Sequence, residues 1–203
     1  MNTKILLCTA LLAAVLAPAV AVADDTTKTA EPVVTDAELA ILAHFRHVNM
    51  MEIDMGKAAM KQTKNKKVRA FGKALVTDHT KALKAADAFV KANKLTLPVD
   101  TGKDEAETKQ MQADMEAMEK MKTLSGVEFD RAFLPAMADG HTKEIDKLDL
   151  GLPAVTNAKL KAILEKARPA MVKHAETAKK LDAEVQRTAT ATSTTTTTTT
   201  TTK

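Results

Sequence analysis

Four ionisable residues, Glu52, His79, His141 and His174, interrupt apolar stripes near the middle of helix-like patterns. One stripe reads Val68, Gly72, Leu75, His79, Ala82, Ala86, Phe89, and a second reads Leu134, Met137, His141, Ile145, Leu148. A third runs Leu160, Leu164, Ala167, Met171, His174, Ala178, Leu181, Val185, and a fourth Ile41, Phe45, Val48, Glu52, Met55, Ala59. Apolar residues three and four apart mark the buried face of a helix. Imidazole and carboxylate on such a face are metal-ligand chemistry. A buried Glu is costly without a counter-charge, and a divalent cation supplies one that three neutral imidazoles do not. The four residues are therefore read as ligands to one divalent ion that accepts nitrogen and oxygen donors: zinc, iron, copper or manganese. A metal-free buried polar cluster, with Glu52 ionised against a protonated histidine, fits the same spacing.

Other chemistries have weaker signals. A carboxylate-bridged di-iron site needs Glu three residues before two of the histidines, and Val76, Ala138 and Met171 stand there instead. Met111, Met115, Met118 and Met121 share one face of a charged segment, and Met50, Met51, Met55 and Met60 cluster earlier. Thioethers suit copper(I) or silver; methionine is also a pliable core filler, the preferred reading, with Met115, Met118 and Met121 packing their helix onto the rest. His44 and His47 fall off the stripe and read as surface or partner-facing. Asp78 reads as a solvated acid, and Asp130 as a cap or salt-bridge residue. No Ser-His-Asp, P-loop or dinucleotide motif names a substrate, so a binding role is expected over an enzymatic one.

These residues need long helices to carry them. Among 203 residues there is no Trp or Tyr and only five Phe, while Ala, Lys, Leu, Glu and Met are plentiful. That alphabet favours helix over sheet. Thr35 or Asp36 can cap a helix running to about Lys64, followed by one from Val68 to Asn93, a shorter one over Asp104–Lys122, one from Val127 to Leu150, and one from Asn157 to Arg187. Pro135 and Pro169 are expected kinks, and Gly151 with Pro153 a helix end. The fold class is all-α: a four-helix bundle with an extra shorter helix between the second and third long ones.

The ends read differently. Lys4, an apolar run from Ile5 to Val22 and the small residues Ala21-Val22-Ala23 make residues 1–23 a cleavable signal peptide. Residues 24–34 read as a flexible leader, 35–187 as the folded domain, and 188–203 as a disordered threonine-rich tail. Cys8, the only cysteine, lies in the signal, and Ile5-Leu6-Leu7 before it argue against lipidation. The exported chain therefore has no thiol for a disulfide, a Cys-ligated metal or a nucleophile. Losing residues 1–23 removes one lysine and no acid from a net charge of +4. A charge so small is no argument for nucleic acid, and after cleavage no membrane-spanning segment is expected.

Three ordered motifs carry a family resemblance. They are Glu-x-x-x-Gly at Glu52 and Gly56, the string Val-Arg-x-Phe-x-x-x-Leu-Val-x-Asp-His from Val68 to His79, and Gly-x-x-Phe-Asp at Gly126, Phe129 and Asp130. With Leu97-Pro98 and the later histidines, residues 36–185 resemble the exported bacterial domain-of-unknown-function family DUF4142. The resemblance implies a ferritin-like up-down bundle in a periplasmic or secreted setting, without an established activity. It also implies a tyrosine where this chain has Phe133.

Overall fold

Four of the five described helices start where a side chain accepts a free backbone N–H; the fourth, after Ser125, has no such side-chain bond. The Thr35 hydroxyl accepts from the Glu38 amide at 3.2 Å, while a Glu38 carboxylate oxygen accepts from the Thr35 amide at 2.9 Å. Asn65, Asp104 and Asn157 accept from Lys67, Glu107 and Leu160 at 2.9, 2.8 and 3.1 Å. These contacts satisfy donors that have no partner within their own helices. The elements that follow are α1 (Asp36–Gln62), α2 (Lys66–Ala92), α3 (Glu105–Lys122), α4 (Gly126–Gly151), a 3-10 turn (Leu152–Ala154) and α5 (Ala158–Thr196). The computed structural model describes residues 33–102 and 104–196, with side chains to residue 188. Among these the fold is all-α with no strand.

Helix α1 packs on α2, α4 packs on α5, and the pairs join through α2 with α5 and α1 with α4. The closest approach uses glycine. A Cβ at Gly56 would lie 2.7 Å from the Gly72 carbonyl oxygen, and one at Gly72 would lie 2.8 Å from the Gly56 carbonyl oxygen. The short link Thr63 to Asn65 thus folds α2 back against α1 at a distance that only these residues permit. Glu38 closes the far end: its second carboxylate oxygen accepts from the Thr156 and Asn157 amides at 2.7 and 2.8 Å, tying the start of α5 to that of α1.

Two apolar cores fill the interior. One gathers Met55, Phe71, Leu75, Phe133, Met137 and Ala178, and the other Leu42, Ala86, Phe89, Leu160 and Leu164. His79 falls between Leu75 and Ala86 along α2, and His174 between Leu164 and Ala178 along α5. The histidines therefore mark the level at which one core gives way to the other. Phe133, where the family resemblance implies tyrosine, is fully buried and stacks on Phe129 at 5.1 Å.

Some expectations are corrected. The N-terminal half of α1 buries Leu42 and Asn49, with Ile41, Phe45 and Val48 only partly covered, because they face a cavity rather than a neighbouring helix. Helix α4 does end at Gly151, as expected, and a single 3-10 turn over Leu152–Ala154 follows it. Pro135 and Pro169, expected as kinks, lie within α4 and α5 and not at their ends. Met118 and Met121 pack on the core, but Met115 is exposed. Helix α5 is described to Thr196; 197–203 of the threonine-rich tail, like 1–32 with the signal peptide and most of the leader, lie outside the described residues.

Candidate metal centre

His79 on α2, His141 on α4 and His174 on α5 meet in the core. All three are buried, and one nitrogen from each ring lies within 4.8 Å of the others. Their ring centroids form a triangle with sides of 5.5, 5.2 and 5.2 Å. The protonation pattern follows from the partners behind each ring. His79 Nδ1 lies 2.9 Å from Asn49 Oδ1, and the amide cannot be turned round because Asn49 Nδ2 donates to the Phe45 carbonyl at 2.6 Å. Nδ1 is therefore the donor. His141 Nδ1 donates to the Met137 carbonyl, which only accepts, at 2.9 Å. His174 Nε2 donates to a carboxylate oxygen of Asp78 at 3.0 Å.

A neutral imidazole carries one N–H. With the outer nitrogens used as donors, His79 Nε2, His141 Nε2 and His174 Nδ1 are left with bare lone pairs. The first two face each other at 3.3 Å, and the third is buried without any hydrogen-bond partner. Two acceptors at that distance repel unless a cation lies between them. A proton is a poor candidate, since burial, with His141 and His174 beside it, pushes the His79 imidazole down to about 3. Burial, then His141, also lowers His174, against the pull of Asp78. A metal ion meets the need directly, and the acceptor behind each ring is the outer support that metal-binding histidines use.

Glu52 takes a different place from the three histidines. Its carboxylate lies 3.6 Å from His141 Nδ1, the nitrogen that bonds to the Met137 carbonyl, and not beside the Nε2 that meets His79. One of its oxygens is buried with no partner, and burial raises its pKa against the pull of His141. Glu52 thus sits behind His141, where a cation at the centre would favour its ionised form.

Asn49 has no assigned role in the sequence reading. Asn49 stands three residues before Glu52, on the same helix face, and that spacing was the available signal. Asp78, expected to be solvated, is exposed on one side only and meets His174 with the other. Other polar residues also move inward. His44 is held between Asp100 at 2.9 Å and Glu144 at 2.8 Å, and His47 Nε2 is buried without a partner; neither is a free surface histidine. Asp130 is neither cap nor salt bridge: it is buried against the Thr63 side chain, and burial raises its pKa.

A family model, the domain of unknown function DUF4142, matches residues 23–181. The chain belongs to the DUF4142 family. No curated protein and no solved structure matches it. All three histidines, together with Asn49, Asp78 and Glu52, fall inside the matched span, so the site is part of the DUF4142 domain itself. No described helix of this DUF4142 chain is long and apolar enough to cross a membrane.

Proposed function

We propose that this DUF4142 protein holds one divalent transition-metal ion on His79, His141 and His174, as an exported binding protein in metal homeostasis or stress tolerance. On this reading the helices form a ferritin-like up-down four-helix bundle, with α3 as the added element, and residues 1–23 direct the chain to the periplasm or outside the cell. The carrying observation is the set of three bare ring nitrogens, two of them 3.3 Å apart, whose opposite nitrogens are all committed as donors. A metal-free cluster accounts for less: one shared proton could join His79 to His141 but would leave His174 Nδ1 unpaired in the core. Three imidazoles favour zinc or copper over manganese, and iron is intermediate. Three protein ligands also leave a tetrahedral ion one further position for water or an outside ligand. Glu52 supports the ion from behind His141, so its carboxylate offsets part of the ionic charge without being a ligand.

The test is a zinc and copper titration of the tag-free, chelator-stripped chain, read by calorimetry and thermal unfolding. One ion per chain is expected. At a free concentration 100 times Kd it stabilises the fold by about 2.7 kcal/mol, raising Tm by roughly 5–10 °C. His141→Ala should abolish both signals. If none of zinc, copper, iron or manganese raises the Tm of the unmodified chain, the metal reading fails.

A further inference from the structure

A cavity of about 920 Å³ lies between α1, α2, α4 and α5, bordered by the Pro98–Gly102 loop. Its walls are mostly hydrocarbon, with Ile41, Phe45, Val48, Leu148 and Met171 among them, and Ala82 on α2 and Ala167 on α5 are too small to fill the space. Buried Asn49 and His79 lie at its base, and exposed Val99 at its rim. Helix packing normally leaves few voids larger than a water molecule. Ordered water needs two to four polar partners, and most of these walls offer none. The size and lining are those of a small-molecule chamber.

The charges around it are unevenly paired. On one side Asp100 and Glu144 are matched by His44, and Glu107 and Glu144 by Lys147. Lys81 and Lys166 also border the cavity, and among the described residues neither has an ion pair. Counted with Asp78, which bonds His174, the acids and bases of the lining balance, and Lys81 and Lys166 are the two lining lysines that, among the described residues, lack an ion-pair partner beside an apolar interior.

We propose that this chamber binds an apolar small molecule ending in one carboxylate, of the fatty-acid type. The chain lies among Phe45, Val48, Leu148 and Met171, and the carboxylate pairs with Lys81 and Lys166 at the rim. Desolvation of the chain supplies most of the affinity, and the lysines select an anionic end over a neutral one.

The experiment is a fluorescence titration of the tag-free chain with cis-parinaric acid and, separately, its methyl ester, both in excess chelator. Removing metal makes the result independent of the histidine centre, whose own failure would appear only in the zinc titration. Saturable binding of one acid per chain is expected, with the ester about tenfold weaker. Ala82→Phe with Ala167→Phe should fill the chamber and reduce acid binding by more than tenfold while zinc binding stays intact. If that pair fails to fold, as judged by its melting curve, Lys81→Gln with Lys166→Gln serves instead: acid binding should fall to the level of the ester. Absence of saturable acid binding, undiminished binding by the filled variant, or equal affinity for acid and ester each overturns the proposal.

Discussion

Asn49 and His79 form one rigid unit: the amide donates to the Phe45 carbonyl at 2.6 Å and accepts from His79 Nδ1 at 2.9 Å. The amide thereby decides which imidazole nitrogen is free to bind a metal. Asn49→Leu removes the acceptor and lets the ring adopt either tautomer. Zinc affinity should fall about 10- to 100-fold, and the unpaired His79 N–H should cost about 1–3 kcal/mol in urea unfolding of the metal-free chain. Unchanged zinc affinity in a folded Asn49→Leu chain would rule out a positioning role.

Gly72→Ala and Gly140→Ala should act in opposite directions. Alanine improves helix propensity by about 1 kcal/mol at either place. At Gly140 a Cβ meets nothing within 4 Å, whereas at Gly72 it would lie 2.8 Å from both Ala59 Cβ and the Gly56 carbonyl oxygen. The net effect is a gain of up to about 1 kcal/mol for Gly140→Ala, and a loss of about 1–3 kcal/mol for Gly72→Ala because overpacking exceeds the propensity gain. Denaturant midpoints decide the signs, and a stabilised Gly72→Ala chain would contradict the close α1–α2 approach.

Glu38 should make the fold acid-sensitive. Burial opposes its ionised form, yet the amides of Asn157, Thr35 and Thr156 outweigh it and hold the carboxyl at about 2 rather than 4.5. A lowered native pKa means stability that is present above the unfolded value and disappears as pH falls from about 4.5 to about 2. The shift corresponds to roughly 3 kcal/mol. Between pH 5 and 2 the unmodified chain should therefore lose more stability than Glu38→Gln, and parallel pH profiles of the two would count against the assignment.

His44 should work in the alkaline direction. The Glu144 hydrogen bond raises its pKa against burial, with Asp100 adding to the rise. Its contribution is complete below the unfolded pKa and is lost as pH climbs through the raised native value. Trypsin cleavage after Lys94, beside the loop that Asp100 anchors, should accelerate above neutral pH in the unmodified chain. In His44→Gln it should be fast at every pH once corrected for trypsin's own profile. A pH-independent rate in the unmodified chain would show that the histidine does not hold this loop.

Helix existence, and the inward turn of His79, His141 and His174, were legible from residue types alone, because a stripe with three- and four-residue spacing has only one face to bury. The same logic placed Glu52 inside but could not tell a ligand from a neighbour. Its place relative to His141 depends on how α1 is rotated against α4, a relation between two helices that spacing along one of them does not set. Asp78 keeps a solvated side chain, 41% exposed, yet also meets His174, because a helix packed against two partners presents parts of two faces and periodicity describes one.

What the sequence determined by itself is therefore the all-α class, the helix starts at Thr35 and Asn157 and the three core histidines, all consequences of local propensity and repeat. Only the tertiary structure decided the partners behind each ring, the place of Glu52, the His44 clip between Asp100 and Glu144, and the cavity beside the histidines. Each of these joins side chains from different helices, and their distances follow from helix rotation and separation, which hydrophobic spacing along one chain does not encode.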